Sequence, residues 1–334
     1  MSRRPAGAPG GASSLSAMRL CAIDVGSNTV RLLVADVLDG ATWRLADQDQ
    51  TITRLGVNLA RTGALGDTPM ARTLAAVSGY VERAARRGAS DIRIVATSAV
   101  REASNGRVFA AAVERATGRR VDVVSGEVEA RLTLLGVRHG LGQLSGPVLT
   151  FDIGGGSTEY VLAEGETIRS TISLRLGVVP LAERFPFPGV VPRSSYRDLY
   201  DEVRRRLERE LPEAIRSARV AHLVGTAGTV TALAALDLGL VRYDSDRVQG
   251  HVLTRAAVEG LLERLCALTV GERASLPCLE PGRADLIIPG TAIVMATLDQ
   301  IGIGELRVSE YGLREGVLVD AIEGHHGSRP GAAP

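Results

Sequence analysis

One pattern occurs twice in this chain and constrains its fold more than any other feature. An apolar strand ends in Asp, a Gly-rich turn follows, and a second apolar strand leaves. The first copy runs over residues 20–25, turns at Asp24-Val-Gly-Ser-Asn-Thr29 and continues over 30–37. The second runs over 148–153, turns at Asp152-Ile-Gly-Gly-Gly-Ser-Thr158 and continues over 159–163. A tight turn between two such runs reads as a hairpin. Its recurrence predicts an internal duplication, with two similar halves facing each other. A length of 334 residues suits two domains.

Strands and helices alternate through the rest of the chain. Helices are predicted over 69–87, 106–117 and 128–137, with strands over 92–96 and 121–124. After the second hairpin come a Pro-rich loop (185–192) and a long charged helix (196–219) that Pro212 interrupts. A strand over 222–224, a helix over 230–236, helices over 254–270 and 284–300, a strand over 306–308 and a helix over 313–323 complete the pattern. This alternation predicts an α/β fold, a mixed or parallel sheet covered by helices.

Composition excludes several function classes. The net charge is +1, so no global basic field draws the chain to nucleic acid or membranes. Any polyanion site must be a local cluster. No lysine is present, so such a cluster would be built from arginine, whose planar fork suits phosphate. Cys21, Cys266 and Cys278 form neither a CxxC pair nor an even set, which argues against a disulfide framework or zinc knuckle. A reducing cytoplasm is the expected compartment. No apolar run approaches the roughly 18 residues of a membrane span. Residues 1–17 read as a disordered extension, with Met18 as an alternative start, and 324–334 as a disordered tail.

Three Gly-rich turns follow strands: the two above and Gly225-Thr-Ala-Gly-Thr229. Glycine lets backbone N–H groups approach phosphate oxygens, and Ser and Thr add hydroxyl donors. An Asp at the end of each of the first two strands can hold magnesium, usually through water. Any one of these turns alone is ordinary; the three together predict a two-walled phosphate clamp. Glu127 and Glu129 open a predicted helix after Ser125-Gly126. Acids at a helix start can serve the helix dipole alone, or one can orient and deprotonate water beside a terminal phosphate. Arg101, after the strand end Ala96-Thr97-Ser98, can pair with a phosphoryl oxygen or lie solvated on the surface. The run Arg204-Arg205-Arg206 mixes with acids and reads as a solvated helix face.

In this order the motifs resemble the Ppx/GppA family of exopolyphosphatases and guanosine pentaphosphate phosphohydrolases, over residues 18–322. The landmarks are the two Asp turns, Ala96-Thr-Ser-Ala-Val-Arg101, Ser125-Gly126 with Glu129-Ala-Arg131, the extension of the second turn to Glu159, and Gly225-Thr-Ala-Gly-Thr229. The resemblance implies two ribonuclease H-like domains of the actin-like ATPase superfold with a cleft between them. Their expected bounds are 18–137 and 138–303, with segment 304–323 returning to the first domain. It implies that Glu129 is the general base, that Asp152 and Glu159 sit near the metal and attacking water, and that Arg101 contacts phosphate. Ser27, Asn28 and Thr29 then belong to the first phosphate loop, Gly154, Gly155, Gly156 and Ser157 to the second, and Gly225, Thr226, Gly228 and Thr229 to the third. The expected metal residues are Asp24, Asp152 and Glu159, for magnesium or, in its place, manganese.

The implied activity is release of orthophosphate from polyphosphate. Hydrolysis of guanosine pentaphosphate is the alternative, and a non-catalytic alarmone- or nucleotide-binding regulator the non-enzyme alternative. A sugar or acetate-type kinase shares the superfold, but the Ser-Gly-x-x-Glu-Ala motif argues against it. One departure stands out: Val128 occupies a position where many relatives carry a second glutamate. The chain's end soon after Gly316 resembles the short two-domain form, which predicts a preference for short chains. A homodimer is expected by family analogy only.

Overall fold

The structure is a computed structural model and describes residues 18–39 and 42–327. The first hairpin is β1 (Arg19–Val25) and β2 (Thr29–Asp39), antiparallel in a ladder from Arg19↔Asp36 to Val25↔Val30. β3 (Thr42–Ile52) extends it, and β4 (Asp91–Ala96) and β5 (Val121–Val123) lie on the other side, in the order β3-β2-β1-β4-β5. The second hairpin is β6 (Pro147–Ile153) and β7 (Thr158–Glu164). With β8 (Thr167–Leu174), β9 (His222–Thr226), β10 (Val252–Thr254) and β11 (Glu305–Ser309) it forms a sheet ordered β10-β11-β9-β6-β7-β8. Without β10, the second order repeats the first strand for strand. The duplication seen in two turns is therefore a duplication of whole sheets.

Each sheet has its own core. Ile23, Leu32 and Ile94 bury one face of the first under the helices Asp67–Arg86 and Gly106–Thr117. Phe151, Tyr160 and Leu223 bury the second under helices that include Arg193–Glu210 and Ile287–Ile301. The other face of the first sheet carries Leu20, Ala22 and Leu33 against Leu318 and Ile322 of the C-terminal helix Leu313–Gly327. Helix Gly126–Leu141 lies between the sheets: Leu132 joins that layer, while Ala130 and Leu134 pack on Val161 and Ala163 of β7. The two helices cross backbone to backbone, since a Cβ on Gly136 would meet the Gly312 carbonyl and one on Gly316 the Leu132 carbonyl.

Three strands escaped the pattern reading. β3 reads Thr-Trp-Arg-Leu-Ala-Asp-Gln-Asp-Gln-Thr-Ile and is largely exposed, and β8 is half exposed. As edge strands they hold their place by pairing with β2 and β7 and need no apolar run of their own. β10 is only three residues long. The charged helix breaks as expected around Pro212, giving Arg193–Glu210 and Glu213–Arg216. Arg204 and Arg206 pair with Glu208 and Glu210 along that helix, so the arginine run is a surface face. The last helix continues to Gly327, past the expected start of the tail, while residues 1–17 and 328–334 lie outside the described residues. Among the described residues no helix is long and apolar enough to cross a membrane.

Candidate active site

Asp24 and Asp152 end β1 and β6, the matching strands of the two sheets, and both line one cleft. Ser27, Asn28, Thr29, Gly154, Gly155, Gly156, Ser157, Thr226, Gly228, Thr229 and Glu129 line it with them. The two hairpin loops meet tip to tip. A Cβ on Gly155 would stand 2.9 Å from the Asn28 backbone nitrogen, and one on Gly156 2.7 Å from the Ser27 hydroxyl. Glycine is required there because the opposing loop occupies the space a side chain would need. The open space in the cleft is correspondingly small, about 90 Å³.

Glu129 enters from helix Gly126–Leu141, whose start is capped by Ser125, its hydroxyl accepting from Val128 N at 3.2 Å. Gly126 is glycine because Ser173 of β8 fills its Cβ position. The same Ser173 hydroxyl donates to Glu159 at 2.6 Å. One serine thus sets the helix start against the second sheet and holds a carboxylate beneath it. Burial, then the neighbouring Glu159 charge, raises Glu129 well above the ordinary carboxylate range; Arg101 opposes that rise. Burial and the Asp152 charge push Glu159 up to about 7, and burial pushes Asp24 up to about 6. Such raised carboxylates are what a proton-accepting site at neutral pH requires.

Not every expected residue reaches the cleft. Glu159 is the cross-strand neighbour of Asp152, fully buried, and does not line the cavity. The structure places it behind Asp152 and beside Glu129, where the Ser173 hydroxyl holds it. Gly225 is set back within β9 and does not line the cleft; a Cβ there would strike the Phe151 ring, a packing demand that only glycine meets. Thr226 lines the cleft, but its hydroxyl donates to the Ser309 carbonyl at 2.9 Å. Arg101 does not line the cleft either; its guanidinium donates to Glu129 instead, at 2.9 Å. Glu127 has no place in the lining, and Val128 is exposed on the far side of the helix start, 39% accessible. His251 pairs with Asp237 away from the cleft.

The structure adds residues that motif reading passed over. Arg31, Arg283 and Arg314 line the cleft, as do Thr97, Ser98 and Glu315. Glu310, which the sequence already places after a strand near the cleft as a candidate substrate or metal contact, lines it too, with its carboxylate bonded to the Tyr243 hydroxyl. Arg31 stands opposite Asp24 in the β1–β2 ladder, seven residues on, as Glu159 stands opposite Asp152. That shared spacing was a signal that could have found it. Arg283 lies against the Cα of Gly228. Beyond Arg31, Arg283 and Arg314 a second chamber of about 770 Å³ opens, walled by Trp43, Tyr243 and Tyr311.

Among the described residues no three His, Cys, Asp or Glu side chains gather as a metal-binding group. Magnesium asks for less: one or two carboxylates, several waters and the substrate's phosphates. Asp24 and Asp152 meet that demand, and Asp24 Oδ1 and Asn28 Oδ1 are buried acceptors without partners. The donor set fits a hydrated cation, with Glu159 outside it.

The family model described as the Ppx/GppA phosphatase family matches residues 33–325. The chain is 36% identical over 318 residues to a Mycobacterium tuberculosis protein named Exopolyphosphatase 2, covering 90% of this chain and 98% of that one. The crystal structure of the Aquifex aeolicus Ppx/GppA family member superposes with a TM-score of 0.78 at 32% identity, covering 92% of this chain and 98% of the other. An exopolyphosphatase from Cytophaga hutchinsonii, 24% identical with a TM-score of 0.86, has the same fold and is covered over 98% of its length by 92% of this chain.

Proposed function

The chain belongs to the Ppx/GppA phosphatase family, and from that premise we propose that it is an exopolyphosphatase. It hydrolyses the terminal phosphoanhydride of inorganic polyphosphate, short chains above all, and releases orthophosphate. The observation that carries this reading is Glu129: a buried, raised carboxylate facing a cleft lined by two Gly-rich loops and by Arg31, Arg283 and Arg314.

The terminal phosphate lies between the loops, where the backbone N–H groups of Ser27, Asn28 and Gly155–Ser157 face its oxygens. Glu129 accepts a proton from water as the water oxygen bonds to the terminal phosphorus. The bond from that phosphorus to the bridging oxygen breaks, and the shortened chain leaves with the electron pair. Arg31, Arg283 and Arg314 offset the negative charge of the remaining chain. Magnesium, or manganese in its place, would be held by Asp24 and Asp152 largely through water, and when bound it neutralises phosphate charge.

The chamber favours a second reading, guanosine pentaphosphate as substrate. Its three aromatic walls and two buried, unpartnered donors, Trp43 Nε1 and Gln249 Nε2, suit a flat heterocycle. A substrate panel with magnesium separates the two: polyphosphates of several lengths, guanosine pentaphosphate and ATP. Fastest orthophosphate release from short polyphosphate supports the first reading. Preference for guanosine pentaphosphate replaces it with the second. No release from any of them, with binding retained, makes the protein a regulator. Glu129→Gln should abolish release by roughly 100-fold or more.

A further inference from the structure

Arg101 is expected from family resemblance to touch phosphate, yet its guanidinium points elsewhere. Nη1 donates to Glu129 Oε2 at 2.9 Å and to the Val124 carbonyl at 2.9 Å. Val124 follows β5, directly before the Ser125 cap of the helix that carries Glu129. Arg101 therefore ties together the strand end, the cap and the carboxylate. Its own helix, Ser98–Glu102, is short and fixed: Arg101 N bonds to the Thr97 carbonyl, and Ser98 at the other end lines the cleft.

We propose that Arg101 is a positioning residue that acts through Glu129 and makes no contact with substrate. By occupying Oε2 it leaves Oε1 as the oxygen free to meet water. It also places a cation beside a carboxylate otherwise crowded by Glu159 and Asp152. The phosphate-facing cations are instead Arg31, Arg283 and Arg314, which line the cleft where Arg101 does not.

The proposal rests on Glu129 being the base of the proposed hydrolysis, and two experiments keep the two claims apart. The first is steady-state kinetics of full-length wild type, Arg101→Gln and Arg101→Lys on tripolyphosphate with magnesium. A positioning role predicts a kcat lower by roughly 10- to 100-fold in Arg101→Gln with KM within about twofold, and partial recovery in Arg101→Lys. A KM raised tenfold or more with kcat nearly intact overturns it. The second is calorimetric binding of tripolyphosphate to Glu129→Gln and to the double variant Glu129→Gln/Arg101→Gln, which needs no turnover. Equal affinities support the proposal; a tenfold weaker double variant makes Arg101 a phosphate ligand and ends it. If wild type hydrolyses guanosine pentaphosphate but not tripolyphosphate, the same experiments run on that substrate. If neither is hydrolysed, the function reading falls, and the proposal falls with it.

Discussion

Asp24 stands directly opposite Arg31 in the β1–β2 ladder, so the two side chains share one face of the first sheet at the cleft. The second sheet repeats the arrangement with Asp152 opposite Glu159, a cation exchanged for an acid. The duplicated halves are thus similar in backbone but differ in charge, an acid facing a cation in the first and an acid facing an acid in the second; under the proposed hydrolysis the first would hold phosphate and the second support the base. Removing the cation from the first half tests this division. Arg31→Met should raise the KM for tripolyphosphate at least tenfold, since a charge-assisted hydrogen bond contributes about 1.5–3 kcal/mol. Glu159→Gln should act mainly on kcat. Equal effects on KM from both variants would dissolve the distinction.

The backbone plan was legible in the sequence because it is written in local signals. Apolar runs, Gly-rich turns and helix starts depend on neighbours in the chain, and both hairpins and the three turns follow from them; Glu129 was marked locally only as an acid at a helix start, and its expected role as base came from the family resemblance. Arg283, Arg314 and Glu315 were not legible because no local pattern marks a charged residue as cleft-facing; Arg31 was marked only by its spacing from Asp24, which matches that of Glu159 from Asp152. Arg283 sits in a single 3-10 turn and reaches the cleft only where Gly228 leaves room for its guanidinium. Ser173 lies in an edge strand whose own pattern is weak, and its role exists only through Gly126 and Glu159. Gly225 misled for the converse reason: its motif looks like the others, but its Cα points at Phe151.

Burial makes Asp24 a cost to the metal-free fold at neutral pH. Its folded value is about 6 against an ordinary value of 3.8, so the folded state binds its proton more tightly. A group raised in this way favours folding at low pH, and the advantage disappears as pH rises through about 6. Asp24→Asn removes the charge. In chelator-treated protein it should stabilise at pH 8 by up to about 3 kcal/mol, and hardly at all near pH 4. Thermal melts of both proteins at the two pH values measure this. A stabilisation equal at both would show that ionisation is not its cause.

The meeting of the loops is a steric claim with a direct test. In Gly155→Ala the new methyl faces the Asn28 backbone nitrogen at 2.9 Å and Ser27 Cβ at 3.0 Å, and backbone cannot swing aside as a side chain can. The loops must separate by a few tenths of an ångström or more. Displacement on that scale costs up to roughly 100-fold in rate when reacting groups must be aligned. We expect kcat/KM for tripolyphosphate to fall by that order while the melting temperature moves by a few degrees. Gly304→Ala, where nothing lies within 4 Å, is the matched control and should stay active.

Arg273 tests a structural claim away from the chemistry. It is fully buried, and its guanidinium donates only to carbonyls: those of Leu265, Leu268, Phe187, Gly189 and Ala284. It pins the Pro-rich loop to the helices beside it, and burial holds its pKa below the usual arginine value. Arg273→Met fits the volume but strands those carbonyls, at about 1–3 kcal/mol for each left unsatisfied. Several together should lower the melting temperature by ten degrees or more, with KM at low temperature unchanged. A melting temperature within two degrees of wild type would mean that water replaces the guanidinium.

The loop behind the first phosphate turn is tied to the opposite domain. Thr53 N and Arg54 N both donate to the Asn28 carbonyl at 2.9 Å, and Gly56 N to that of Ser27 at 2.7 Å. Arg54 then forks across to Asp285 at 2.9 and 3.0 Å and to the Gly282 carbonyl at 3.1 Å, beside Arg283. Both partners are more than one-third exposed, so the pair contributes little to stability, about 0–1 kcal/mol. Its value lies in linking the position of the first loop to that of Arg283. Arg54→Ala and Asp285→Ala should each lower kcat/KM several-fold, and the double variant should be no worse than either, a coupling of about 1 kcal/mol. Additive losses would show that the two residues act separately. Arg54 also has φ +49°, a left-handed conformation that costs a non-glycine residue about 1–2 kcal/mol. Arg54→Gly should therefore be more stable than Arg54→Ala while losing the same activity, which separates the backbone's role in holding Asn28 from the side chain's role in reaching Asp285.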